Sequence, residues 1–197
     1  SLPSLLLIIR IEADPFASTY IAKPSATSLL NNAYIYDGEC NEFLVYDLLI
    51  KNGKIEAIGS DLDTRTENSI EYDLSVMWVT PGIIDLHSHM GVYSAPGVKS
   101  SSDGNESTSP VTADVWAEHS VWTQDPQFSL ALQGGVTTFH VLPGSANLIG
   151  GRGTTFKNVQ SNTVQGMKYP DAPHSLKMAC GENPKRVYGS RRQAPST

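Results

Sequence analysis

The chain has 197 residues, 40% hydrophobic and 17% charged, which is apolar enough to bury a core and excludes a globally disordered polymer. Lys and Arg number 14 against 20 Asp and Glu, and the formal charge of −6 argues against a nucleic-acid binder, which would carry a basic stripe. The 16 Gly and 12 Pro give no low-complexity signature, and Cys40 and Cys180 form no CxxC, so neither a disulfide framework nor a zinc–thiolate site is indicated.

Residues 1–28 read as a leader and linker. The apolar run Leu5–Ile9 is far short of the ~18 residues of a membrane-spanning helix. It reads as the tail of a signal peptide's apolar region, which inclines the reading toward an exported or periplasmic protein, or equally as a buried strand. The start at Ser1 and the RRQAPST end suggest that residues are missing at both ends.

Residues 29–80 read as a small antiparallel β unit, with Ile-, Val-, Leu- and Tyr-rich runs divided by Asp37-Gly38, Asn52-Gly53 and Gly59-Ser60-Asp61. Asn52-Gly53 between two apolar runs predicts a two-residue hairpin. Thr80-Pro81-Gly82 closes the unit, and 81–197 is of another kind. Ile83 to His87 is a short strand. Residues 91–124 are irregular, with a short helix predicted near Pro110 because Val111, Val115 and Trp122 share a face. Asp125-Pro126 predicts a helix start and Gly134-Gly135 its stop. Val136 to Leu142 and Leu176 to Cys180 read as further strands, so the pattern is that of βα units on a parallel sheet.

The sharpest feature is Asp85-Leu86-His87-Ser88-His89. Residues two apart on a strand share a face, so His87 and His89 can offer two imidazoles to one metal ion, with Asp85 on the same face as a ligand or behind one. Gly144 to Gly153, GSANLIGGRG, lacks the signature of a phosphate loop and does not match GxGxxG. It reads either as a tight turn or as a mouth loop whose backbone N–H groups, with Arg152, approach an anionic substrate group. His140 lies within a strand, either touching substrate or satisfied in the core. His119 and His174 carry no spacing signal. Asn105-Glu106-Ser107 is a glycosylation sequon, meaningful only on export.

The β unit followed by VTPGIIDLHSHMG and then βα units resembles the amidohydrolase superfamily over about residues 29–197. The likeness is strongest in PGIIDLHSHMG, GGVTTFHVLPGSANLIGGRG and LKMACGENPKRVYG, the last two similar to an imidazolonepropionase-like branch. The resemblance implies an α/β fold, the N-terminal part of a (β/α)8 TIM-like barrel with a small antiparallel β-sandwich wing. The organisation would be leader 1–28, wing 29–80 and the first three or four barrel units in 81–197. A complete barrel needs ~250 residues.

The resemblance further implies one or two divalent ions, Zn²⁺ foremost, held by His87 and His89 and a bridging ligand. Glu182, just past the third visible strand, is preferred for that bridge, with a carbamylated Lys177 as the alternative. Two later histidines and a catalytic aspartate would fall beyond Thr197. The implied function is metal-activated hydrolysis of a C–N bond in a small-molecule amide, with no nucleic-acid partner, and with a homo-oligomer as one option for the full-length protein. A non-catalytic scaffold homologue and an inactive truncated product stay open as alternatives.

Overall fold

The computed structural model describes residues 16–39, 44–64 and 68–194. The apolar run Leu5–Ile9 and Cys40 lie outside these residues. The chain divides into two compact units, Ile21–Ile83 and, together with Ser1–Tyr20, Ile84–Thr197.

The first unit is one sheet. It contains β1 (Ser28–Ile35), β2 (Leu44–Lys51), β3 (Lys54–Gly59), β4 (Ile70–Asp73) and β5 (Trp78–Val79). The order is β3-β2-β1-β4, with β5 also on β1. The hairpin predicted at Asn52-Gly53 joins β2 to β3, with Lys51 opposite Lys54. Both turn residues have positive φ, 53° and 72°, as a tight turn that follows the strand twist requires. The purely antiparallel expectation is corrected, because β4 and β5 run parallel to β1. The hairpin leaves β3 on the far side of β2, so the chain crosses over before pairing with the other edge of β1, and it arrives in the same direction as β1.

Asp47 anchors that crossover. Its carboxylate accepts from the N–H of Asn32 at 3.0 Å, at the irregularity in β1, and from the N–H of Leu62 at 3.1 Å. Ala33, Ile35 and Leu48 are the buried centre of this unit.

The second unit is built on β6 (Ile83–Ser88), β7 (Val136–Val141), β8 (Ile149–Lys157) and β9 (Ser175–Met178), in that spatial order. Its helices are α1 (Pro126–Gln133), α2 (Val164–Met167) and α3 (Glu182–Tyr188). The N–H of Leu142, just past β7, donates to the Ser88 carbonyl at 3.0 Å, so the carboxyl ends of neighbouring β6 and β7 lie together. With α1 between them they form the expected βαβ unit.

The next step corrects the expectation of further parallel strands, since β8 is antiparallel to both β7 and β9. Residues 142–148 are too few for the crossover of about a dozen residues that parallel neighbours require, so the chain turns straight back. Part of GSANLIGGRG is therefore strand. The fold is mixed α/β.

The helix predicted near Pro110 is absent, and a 3₁₀ turn at Ala117–Ser120 stands nearby instead. The backbone there is committed to the edge of β8. The N–H of Thr112 donates to Ile149 O at 2.8 Å and the N–H of Arg152 to Val115 O at 2.7 Å. A Cβ at Gly151, where φ is 121°, would meet the Val115 carbonyl, so the close crossing demands glycine.

The core gathers Val92, Ala117, Val121, Phe128, Phe139, Val141, Phe156 and Met167. Phe128, Phe139 and Phe156 stack in series at 5.2 Å and 5.7 Å between ring centroids. Asp125 caps α1 through the Gln127 N–H at 3.1 Å, as its sequence predicts. The same buried carboxylate also accepts from the N–H of Gly91 at 3.0 Å and of Ala95 at 3.3 Å, so the cap fastens the chain after β6 to the helix.

Two stability outcomes follow from these contacts. Asp125→Ala orphans several buried donors of a charge-assisted set, and is expected to cost about 3 kcal/mol. A urea midpoint within error of the parent would contradict that role. Among the described residues β6 and β9 are edge strands, and Ile84, Leu86, Leu176, Met178, Leu130 and Leu132 are exposed. The 197-residue chain is therefore expected to self-associate as its concentration rises in light scattering. A concentration-independent monomer with a sharp reversible melt would count against it.

Candidate active site

The site begins at the carboxyl end of β6, where strand alternation puts Asp85 and His87 on one face. Asp85 Oδ1 accepts the His87 backbone N–H at 3.0 Å, which holds the strand end in shape. His89 follows just beyond. Its Nδ1 lies 2.8 Å from the Leu142 carbonyl, and a carbonyl only accepts, so Nδ1 carries the proton. The Nε2 lone pair is left free, which is the tautomer that a metal-ligating imidazole needs. The two imidazole rings stand 5.3 Å apart, nearly perpendicular at 82°.

Lys177 on β9 reaches this pair, with Nζ 3.1 Å from His87 Nε2. The lysine charge is the chief cause that pushes the His87 pKa below its usual value, followed by burial and by His89, while Asp85 opposes them. Burial lowers the Lys177 pKa as well. A neutral His87 whose Nε2 accepts a hydrogen bond from Lys177 Nζ agrees with the lowered His87 pKa.

His140 on β7 shares the Lys177 face through Ser175, two residues earlier on β9. Its Nε2 lies 2.6 Å from Ser175 Oγ and its Nδ1 2.9 Å from Thr155 Oγ1 on β8. The open face of the sheet thus collects His87, His140, Ser175 and Lys177.

Two other sequence candidates fall elsewhere. Glu182 is the exposed first residue of α3. Among the described residues no group of three or more His, Cys, Asp or Glu is gathered closely enough to hold a metal ion. β9 ends at Met178 and Glu182 follows at the start of α3, whereas Lys177 lies within β9 beside His87. Arg152 lies on the opposite face of β8 from Thr155. Its guanidinium stacks over Trp116 at 4.8 Å and its Nε donates to Ala113 O at 3.4 Å, so it takes no part in the His140 face.

Three features were not legible as site residues. Tyr93 packs its ring edge to face with His89, centroids 5.5 Å apart. Asn105 of the sequon donates through Nδ2 to Tyr93 Oη at 2.6 Å and accepts the Ala146 N–H at 3.0 Å, so its amide is engaged inside the fold. Glu118 and Lys168 form a buried ion pair at 2.9 Å. Glu118 also takes the Thr154 hydroxyl, which in turn meets His174 Nδ1. No periodicity or motif links Asn105 to Tyr93 or Glu118 to Lys168, because the members of each pair are far apart in sequence and meet only in the fold.

Burial, and then His174, hold the His140 pKa below the ordinary 6.5. As pH falls, the unfolded chain takes up that proton before the folded chain does. The His140 contribution to stability is thus intact above about pH 6.5 and lost progressively below it. Melting temperature is expected to fall from about pH 7.5 to about pH 5.5. His140→Gln should flatten that decline, and an unchanged slope in the variant would show that other groups govern it.

No family model matches the chain. It is 35% identical over 162 residues to Amidohydrolase tasK of Hapsidospora irregularis, covering 77% of this chain and 16% of that protein. It is 33% identical over 112 residues to the imidazolonepropionase of Klebsiella pneumoniae (strain 342), covering 49% of this chain and 27% of that one. The crystal structure of an amidohydrolase from Thermotoga maritima MSB8 superposes with a TM-score of 0.77 at 41% identity, over 86% of this chain and 43% of that one. The chain therefore spans less than half the length of each of these proteins. By sequence and by fold it belongs to the amidohydrolase superfamily, matching the N-terminal portion of its members.

Proposed function

We propose that the second unit is the opening portion of a (β/α)8 barrel and that the protein is a metal-dependent amidohydrolase acting on the C–N bond of a small-molecule amide. The observation that carries this reading is the His89 tautomer. Nδ1–H is spent on Leu142 O, leaving Nε2 bare beside His87 at the carboxyl ends of β6 and β7, the end at which barrel enzymes build their sites. The names of the relatives support the reaction class.

His87 and His89 would hold a divalent ion, Zn²⁺ foremost, and we propose Lys177, whose Nζ lies 3.1 Å from His87 Nε2, as the group that would join them. Such an ion supplies Lewis acidity and lowers the pKa of water to about 7. The chain's own residues prepare the site around it. Asp85 fixes the His87 backbone, and Leu142 fixes the His89 tautomer. His140, kept neutral with both ring nitrogens engaged by Ser175 and Thr155, would order the Ser175 hydroxyl on the same face. A catalytic zinc site normally takes three protein ligands. We propose that the remaining ligands and the proton-transferring aspartate come from outside the described residues, and that the 197-residue chain alone does not hydrolyse amides.

The test is metal uptake. After equilibration with zinc and desalting, elemental analysis should find zinc on the parent chain. The His87→Ala, His89→Ala double variant should bind it more than about tenfold more weakly. Equal uptake by both would sink the reading. Chelator-sensitive turnover of cyclic or linear amides by the 197-residue chain would show that the catalytic set is complete within it.

A further inference from the structure

We infer that Tyr93 is a positioning residue for His89, clamped through its phenol so that its ring keeps the His89 imidazole aimed at Leu142. The inference rests on the reading of His89 as a metal ligand for its purpose, and on packing alone for its substance.

Tyr93 follows His89 by one turn, and its N–H donates to the His89 carbonyl at 3.1 Å. That local turn brings the phenol ring edge to face with the imidazole, at 5.5 Å and 78°. A ring in contact with another does not fix it unless it is fixed itself, and the far end of Tyr93 is held on three sides. Asn105 Nδ2 donates to its Oη at 2.6 Å. Gly104 and Gly144 bracket the phenol so closely that a Cβ on either would collide with it, at Gly144 with the Asn105 amide as well. The two glycines are bound to each other, Gly144 N–H to Gly104 O at 2.7 Å.

Asn105 is fixed in turn, because its Oδ1 accepts the Ala146 N–H at 3.0 Å. The phenol is thus a pin through two loops, 103–105 and 144–146, the second of which follows β7 and Leu142. Burial pushes the Tyr93 pKa up, so the pin stays an uncharged phenol. The arrangement explains two glycines whose φ values require none: the space that a side chain would take is occupied by Tyr93 and Asn105.

The consequence is orientational. Leu142 O selects the Nδ1–H tautomer only while the imidazole plane points at it, and Tyr93 blocks rotation of the ring away from that line. Loss of the ring should release the tautomer, and loss of the hydroxyl alone, which unpins the ring and leaves it between Gly104 and Gly144, should release it in part.

The experiment uses metal-free 197-residue chain and reads the His89 ring nitrogens by long-range ¹⁵N–¹H NMR. The parent should show Nδ1 protonated and Nε2 bare. Tyr93→Leu should shift His89 toward the mixture of an unconstrained imidazole, and Tyr93→Phe, which unpins the ring but keeps it, should give a partial shift of the same sign, with the His140 signals unchanged in both. Zinc binding should weaken about tenfold in Tyr93→Leu and by less in Tyr93→Phe. If Tyr93→Leu does not fold, Asn105→Ala, which unpins the phenol and keeps the ring, should give a partial shift of the same sign. A parent-like His89 signature in a folded Tyr93→Leu, or in Asn105→Ala where that is the variant used, overturns the inference. Failure of the parent to bind zinc would overturn the proposed function instead and leave the tautomer result standing.

Discussion

The geometry of the site depends on Leu142. Its N–H donates to Ser88 O and its carbonyl accepts from His89 Nδ1. One peptide position thus ties the carboxyl ends of β6 and β7 together and sets the protonation of an imidazole. The two bonds support each other. Without the strand-end bond the carbonyl has no defined place, and without the carbonyl His89 has no reason to expose Nε2.

The long irregular stretch between β6 and α1 stays ordered because buried polar groups take up its backbone donors and acceptors. Asp125 gathers the residues after β6, and Asn147 Nδ2 binds the carbonyls of Glu106 and Ser109. Glu118 and Lys168 contribute a charged version of the same solution. Lys168 Nζ also donates to Phe16 O at 2.7 Å and Glu118 also accepts from Thr154, so the desolvated charges have more partners than each other. Such a pair is costly to break and a weak source of net stability. Its evident structural role is to hold residues 16–18 against the second unit.

The open face of the sheet is rich in basic groups. The Lys177 charge is the chief cause that lowers the His87 pKa, and burial, followed by His174, lowers that of His140. This is a face prepared for neutral imidazoles, which is the state in which imidazole donates a lone pair.

What could be read from sequence was local. His87 and His89 lie two apart on a strand, Asn52-Gly53 imposes its own turn, and Asp125-Pro126 and Gly134-Gly135 bound a helix, because each depends on residues within a few positions of one another. Long-range pairing decided the rest. The approach of Lys177 to His87 followed from the pairing of β9 with β8. The antiparallel course of β8 followed from the short link after β7, and the separation of Arg152 from His140 from the alternation of β8 once its register was set. Tyr93 reached His89 by a local turn, but Asn105, Gly104 and Gly144 came to it from loops whose meeting no periodicity encodes. Composition and motif specify which groups are available. Only the tertiary fold spends their hydrogen bonds, and with them decides which side chains remain free to act.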